Sequence, residues 1–423
     1  MRFDWTAGNR IALLENGEAF YPRVFEAIAG ARREVFVETF ILFDDKVGRQ
    51  LQRSLLAAAR NGARVHLLVD GWGSPALGSD FLDPLIDAGV LLRAYDPRRG
   101  WLERRLNMFR RMHRKLVVVD DRVAFVGGIN YSLDQLDEYG AMAKQDYAVE
   151  VAGPLVAQIR AFCSEALRAT QPRRRRLRWH RGQRDTGAPI DTRTGTATAV
   201  LVTRDNDHCR RDIELHYRAA LRGARQRVVI ANAYFFPGFG LLQDLRRAAR
   251  RGVAVDLILQ GEPDMAIVRF AASMLYAHLI RAGVRVHEYC RRPFHGKVAT
   301  IDDQWATVGS SNLDPMSLAL NLEANVVVRD RAFASGLRQR LDTLIDHSCR
   351  QVELPPATPL SSALAQVRSF FVFHFLHRFP SWVQWLPKRR AKVEPLAHRD
   401  DTAVRDDAST TEPLHEQRAA GAR

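Results

Sequence analysis

The chain has 423 residues, 46% of them hydrophobic, which is too long for one ordinary core and implies two to three folding units. Its formal net charge of +15 favours partners that carry phosphate, whether nucleic acid or anionic lipid. Four cysteines, Cys163, Cys209, Cys290 and Cys349, form no CxxC pair, which argues against a Cys-based zinc site and a dense disulfide frame.

In chain order, the opening "MRFDWTAGNRIALLENGE" interrupts every apolar run with charge or Gly, so neither a secretory core nor a spanning helix is expected there. A cytosolic location is the expectation. "IAGARREVFVETFIL" (Ile28 to Leu42) then reads as a helix end, a basic turn and a strand. "LLAAARNGARVHLLVDG" (Leu55 to Gly71) reads as an Ala-rich helix closed by Gly62 and followed by a buried strand. After "LIDAGVLLRAYD" (Leu85 to Asp96) comes "DPRRGWLERRLNMFRRM", which mixes Trp101, Leu102, Leu106, Met108 and Phe109 with Arg. Such a segment can lie at a lipid interface; packing on its own domain is the plainer reading.

The same units return in the same order about 190 positions later. "ALRGARQRVVIANAYFF" (Ala220 to Phe236), "LRRAARRGVAVDLILQG" (Leu245 to Gly261, with Gly252) and "LIRAGVRVHEYC" (Leu279 to Cys290) answer the three segments above. The chain is therefore a duplicated α/β unit with helices over the faces of its sheets. The expected divisions are a first half at 1–170, a basic linker at 171–198 and a second half at 199–355. An interfacial segment at 356–392 and a disordered tail at 393–423 complete them. The interfacial segment carries an aromatic run from Phe370 to Phe379, broken by His374, His377, Arg378 and Pro380, then Trp382 and Trp385 beside Lys388, Arg389 and Arg390. It falls short of a span but can rest on an anionic bilayer.

Each half ends its repeat with one more element: "MHRKLVVVDDRVAFVGGINYS" (Met112 to Ser132) and "FHGKVATIDDQWATVGSSNLD" (Phe294 to Asp314). In an extended strand, residues i and i+2 share a face, so His113 and Lys115 point together, as do His295 and Lys297. Asp120 and Asp302 belong to the same motif and enter the list of catalytic candidates. Their opposite parity nevertheless suits an anchor, with a salt bridge as the plain reading. The small residues Gly127, Gly128, Gly309 and Ser310 are expected to let backbone approach a ligand. Asn130 and Asn312 each lie 17 residues after their His. A lone His-x-Lys at a strand is commonly just a solvated edge; its recurrence with Asp and Asn at fixed offsets is what points to chemistry.

Placed face to face, two His, two Lys and two Asn suit a phosphodiester. Lysines and amides donate to the non-bridging oxygens, so neither a metal nor a cofactor is called for. One imidazole can attack phosphorus while the other, protonated, protonates the leaving alkoxide and then deprotonates the incoming alcohol. A carboxylate on the second ring nitrogen would hold each tautomer, and Asp146 and Glu323 are the candidates, with a structural role equally open. "DNDHC" (Asp205 to Cys209) lacks a metal-ligand spacing and reads as a capped loop before a helix.

The paired His-x-Lys-x4-Asp pattern with its Gly/Ser turn and Asn resembles the phospholipase D superfamily over nearly all of Arg10 to Asp330, and within it bacterial cardiolipin synthases of the B type. The resemblance implies two pseudo-symmetric α-β-α sandwich halves with mixed sheets and one active site between them. It also implies a phosphatidyl-histidine intermediate, with transfer from one phosphatidylglycerol to another and release of glycerol. His113 would be the nucleophile and His295 the acid/base, with Lys115, Lys297, Asn130 and Asn312 on the phosphate; the residues alone leave the attacking histidine open. Phosphatidylglycerol and an anionic membrane surface are the implied partners, nucleic acid is not, and the implied site of action is the cytoplasmic face of the bacterial inner membrane. A phospholipase D-type hydrolase or a nuclease is the alternative, and a noncatalytic membrane-binding protein the weakest reading.

Overall fold

The computed structural model describes residues 4–74, 77–97, 110–169, 193–261, 275–354 and 393–396. The first half supplies strands β1 (Thr6–Glu15), β2 (Glu34–Thr39), β3 (Arg64–Asp70), β4 (Leu91–Tyr95), β5 (Lys115–Val119), β6 (Val123–Gly127) and β7 (Tyr147–Ala152). The second supplies β8 (Ala197–Arg204), β9 (Arg227–Asn232), β10 (Ala254–Gln260), β11 (Arg285–Tyr289), β12 (Lys297–Ile301), β13 (Trp305–Gly309) and β14 (Glu323–Arg329). Two short edge strands, β15 (Cys349–Gln351) and β16 (Val393–Pro395), complete the set.

The strand order is β15-β11-β10-β9-β12-β13-β14-β8-β1-β7-β6-β5-β2-β3-β4-β16, and the second half of this order mirrors the first. Rather than two separate sheets, a short irregular antiparallel contact between β1 and β8 makes one mixed sheet. Within each half the first three repeats pair in parallel, β2 with β3 and β3 with β4, as β9 with β10 and β10 with β11. The motif strands β5 and β12 then join antiparallel to β2 and β9.

Sequence explains this locally. "KLVVV" of β5 and "KVATI" of β12 are buried at every position, as expected of strands covered on both faces. The Lys46–Arg60 helix starts where the Asp45 side chain accepts the amides of Val47 and Gly48. It closes before Gly62, whose φ of 83° is the left-handed turn that Gly252 repeats at 88°. Each half has an outer core: Phe20, Val24, Leu51 and Leu55 against β2 and β3 in one, Tyr217, Leu221, Leu241 and Leu245 against β9 and β10 in the other. A third core is shared. Val149 and Val151 of β7, Val326 and Val328 of β14, and the Leu155–Ala169 and Arg331–Ser348 helices pack in one cluster, which locks the two halves face to face.

One boundary needs correction. The tail does not begin at 393, because Val393, Glu394 and Pro395 pair with Tyr95, Ala94 and Arg93; an open strand edge is a ready template for such an addition. The segments at 98–109 and 356–392, expected at a lipid interface, and 397–423 lie outside the described residues, as does most of the basic linker. Among the described residues no helix is long and apolar enough to cross a membrane.

Candidate active site

The site forms where each half reaches into the other. Just before β5, the His113 amide donates to the carbonyl of Leu322 at 2.9 Å and the Leu322 amide to that of Arg111 at 2.8 Å. Just before β12, the His295 amide donates to Gln145 at 2.8 Å and the Gln145 amide to Pro293 at 2.9 Å. These two main-chain bridges are related by the pseudo-symmetry, and each sets a motif histidine beside the residue preceding the other half's carboxylate.

The carboxylates therefore serve across the interface. Glu323 Oε2 lies 3.1 Å from Nδ1 of His113, and Asp146 Oδ2 lies 2.5 Å from Nδ1 of His295. A carboxylate acceptor keeps the proton on Nδ1, which leaves the lone pair on Nε2. Both carboxylates are wholly buried, and their environments differ. Ser310 Oγ donates to Glu323 at 2.5 Å, whereas the matching position is Gly128. Burial pushes the Glu323 carboxyl up, but His113, Lys115 and the Ser310 hydroxyl outweigh it and hold the group below its ordinary value. Asp146 is raised by burial to about 6, against the pull of Lys297.

Both imidazoles are depressed. Burial lowers His113, helped by Lys115 and Lys297 and opposed by Glu323. His295 falls further, through burial and then Lys297, Lys144, Lys115 and His113. Charges of each half thus act on the imidazole of the other, as one shared pocket requires. The lysines are buried too. Lys115 is lowered by burial to about 7 and Lys297 to about 8, with Glu323 and Asp146 respectively the strongest opposing charges. Each ammonium donates to the carbonyl of its own histidine, Lys115 at 2.7 Å. The Phe40 ring packs on His113 at 5.0 Å between centroids, with the Lys115 ammonium 5.3 Å from that ring.

Asn130 accepts the Ile41 amide at 3.2 Å, leaving its NH2 group as a donor. Asn312 is buried, and its Oδ1 has no hydrogen-bond partner among the described residues.

Asp120 and Asp302, grouped with the catalytic candidates, sit at the far ends of β5 and β12. Asp120 accepts the amides of Arg32, Arg33 and Glu34 at 2.8–2.9 Å. Asp302 accepts those of Arg225, Gln226 and Arg227 at 2.7–2.9 Å. Their parity pointed to anchoring, but main-chain amides replace the expected salt bridge. With Asp121 and Asp303 they also have positive φ, near 50–60°, the two left-handed residues of a tight hairpin turn. The small residues need a correction as well. A Cβ on Gly128 would come 2.3 Å from Asp146 Oδ1, and one on Gly127 or Gly309 would strike β7 or β14; the close approach is to the neighbouring strand and its carboxylate. Asp205 accepts the amides of Asp207, His208 and Cys209, the capped loop expected. Among the described residues no group of three or more His, Cys, Asp or Glu could hold a metal.

Mirrored halves, paired His and Lys, and carboxylates exchanged across the seam define a phospholipase D-like protein. Comparison with known proteins narrows this. The family described as "Cardiolipin synthase, PLD-like domain" matches residues 24–160 and 217–345, and the chain belongs to it. It is 51% identical over 415 residues to cardiolipin synthase B of Salmonella typhimurium, covering 97% of this chain and 99% of that one. It is also 51% identical to cardiolipin synthase B of Escherichia coli, over 94% and 95% of the two chains. Cardiolipin synthase A of Pseudomonas entomophila is 35% identical over 82% of this chain and 71% of its own length. Phosphatidylserine synthase of Haemophilus influenzae shares the fold, with a TM-score of 0.59 at 13% identity over 87% of this chain and 95% of that one.

Proposed function

We propose that this chain joins two phosphatidylglycerol molecules into cardiolipin, releasing glycerol, through a phosphatidyl group held on His113. Cardiolipin synthase activity follows from the identity to cardiolipin synthase B over nearly the whole length; the course of the reaction is our reading of the pocket. The exchange of carboxylates across the halves carries it, because each imidazole depends on the opposite half and neither half is complete alone.

In the first step Nε2 of His113 attacks the phosphorus of the donor lipid. The bond from phosphorus to the headgroup glycerol oxygen breaks, and His295 protonates that oxygen. In the second, a glycerol hydroxyl of another phosphatidylglycerol attacks the same phosphorus and gives its proton to His295. The P–N bond breaks and cardiolipin leaves. Lys115, Lys297, Asn130 and Asn312 donate to the non-bridging oxygens, where negative charge gathers in the transition state.

The difference between their carboxylates supports the division between the histidines. Phosphatidyl transfer leaves a positive ring on the nucleophile, which a firmly ionised Glu323 stabilises. His295, strongly depressed, takes up a solvent proton when the negative phosphate of the bound donor lies beside it, and is then a strong acid toward the leaving alkoxide. The remaining partner is an anionic membrane surface, approached by peripheral contact of the segments at 98–109 and 356–392 on the cytoplasmic face of the inner membrane. Sealing the pocket mouth there would favour lipid alcohol over water.

Incubation with phosphatidylglycerol vesicles, assaying cardiolipin, glycerol and phosphatidic acid together, tests the reading. Cardiolipin and glycerol in equal amounts are expected; phosphatidic acid as the main lipid product would make the chain a hydrolase instead.

A further inference from the structure

Phosphatidyl transfer to a second lipid brings two phosphates together, the one under attack and the one carried by the acceptor, a glycerol apart. His113 takes the first phosphorus from one side, so the headgroup glycerol leaves over His295 and the acceptor hydroxyl enters along the same line. The acceptor's own phosphate must then lie outward from His295. Resting on the synthase reading above, we propose that the loop between Asn130 and Asp146 binds the acceptor lipid, with the Lys144 ammonium holding its phosphate.

This loop frames His295. It runs through two short 3-10 turns, Leu133–Gln135 and Asp137–Met142, and ends on Lys144, Gln145 and Asp146. The Gln145 carbonyl accepts the His295 amide at 2.8 Å, and the Asp146 carboxylate holds Nδ1 of the same ring. Arg292, three residues before His295, ties the loop down by donating to Asp137 and, at 2.7 Å, to Gln145 Oε1. The other half has a shorter connection: Asp146 follows Asn130 by 16 positions, and Glu323 follows Asn312 by 11. The extra length therefore falls on the side where the acceptor enters.

Lys144 is the loop's own cation. The three acids of the loop are each matched, Asp134 by Lys144, Asp137 by Arg292 and Glu138 by Lys46. Among the described residues Asp134 Oδ2 is the one acceptor that meets Lys144 Nζ, and an ammonium has three protons to give. The Lys144 side chain is 25% exposed, so an entering phosphate can reach it. Asp134 is itself fixed, its other oxygen accepting from Ser132 at 2.6 Å and Gln135 at 3.2 Å, which holds the ammonium in place. Its charge is felt at the reacting centre, where Lys144 helps to lower His295, Asp146 and Lys297. Asn321, the matching residue two positions before Glu323, is neutral, and its side-chain oxygen already accepts the Arg111 amide at 3.3 Å. The same loop leaves two large side chains, Tyr139 and Met142, exposed. A cation beside exposed apolar surface fits a ligand whose anionic headgroup leads into acyl chains.

Lys144 acts here as a specificity residue, so its removal should discriminate between acceptors. The full chain is given phosphatidylglycerol vesicles in labelled glycerol, and cardiolipin and labelled phosphatidylglycerol are measured together. Both products draw on the same phosphatidyl-enzyme through a glycerol hydroxyl, and recapture of free glycerol is the reverse of the first step. An effect exerted through His295 therefore cancels, and only the lipid acceptor carries a phosphate. In Lys144→Gln and Lys144→Met the ratio of cardiolipin to labelled phosphatidylglycerol should fall about fivefold or more, as loss of a charged hydrogen bond implies. Lys144→Arg, which keeps the charge, should retain most of the ratio. A smaller fall, an equal loss of both products, or a Lys144→Arg chain no better than Lys144→Gln overturns the assignment. So does recovery of the wild-type ratio when Asp134→Asn is added to Lys144→Gln, which would trace the loss to the uncovered carboxylate. Wild-type chain that makes labelled phosphatidylglycerol but no cardiolipin would overturn the synthase reading itself.

Discussion

Replacing Glu323 by Gln removes one charge from a fully buried site while keeping an oxygen that can accept from Nδ1 of His113. Glu323 is 3.1 Å from that nitrogen. At this separation and an effective dielectric of about 20, opposite unit charges attract by about 5 kcal/mol. The amide oxygen retains a hydrogen bond to the charged ring, about 1.5–2 kcal/mol. The difference, about 3–4 kcal/mol, is lost only when His113 is positive, which in the proposed course is after it has taken the phosphatidyl group. Formation of the adduct should therefore slow by about 10²–10³-fold. Rapid-quench measurement of the covalent phosphatidyl-enzyme, with a thermal melt to check folding, reads this directly. A folded Glu323→Gln that forms the adduct within a few-fold of the wild-type rate would refute the reasoning, since the crossed carboxylate would then contribute no useful charge.

The pH profile of kcat/KM should be bell-shaped. Its acid limb reflects protonation of Asp146, raised to about 6, which deprives His295 of its partner. Its alkaline limb reflects loss of charge on Lys115 and Lys297 as pH climbs through about 7 to 8, since only the protonated lysines hold phosphate; an unbroken rise to pH 10 would count against them. Gly128→Ala should cut activity far more than stability, because its Cβ meets the Asp146 carboxylate at 2.3 Å; full activity in that variant would mean that Asp146 is free to move. Asp120→Ala should do the reverse. It strips acceptors from three backbone amides, and a loss of about 1–3 kcal/mol in denaturant unfolding is expected, with kcat of the folded fraction little changed.

The duplicated fold was readable because its signals are local: Ala-rich amphipathic helices, β-branched strands, and Gly62 and Gly252 at matching helix ends. The pairing of His113 with Lys115 and the outward parity of Asp120 were readable for the same reason, since a strand's period of two is set by the backbone alone. What lay beyond reach depends on contacts between halves. Asp146 and Glu323 could be picked out as carboxylates near motif strands, but no spacing along the chain reveals that each crosses to the other half's histidine. Parity likewise told which way Asp120 points and not what it meets, so amides rather than cations came as a correction. Ser310 was noted for its small size, whereas its hydroxyl is what holds Glu323; the Gly128 to Ser310 difference between the repeats was the available clue.

The central claim is that two half-sites close on one phosphorus atom. Its most direct test is to acid-quench the chain during turnover on phosphatidylglycerol and count phosphatidyl groups on intact protein and on its peptides by mass spectrometry. One group per chain at most, on His113, and none in His113→Ala, is the predicted result. Two groups on one chain, or an adduct on His295 formed as readily as on His113, would contradict it.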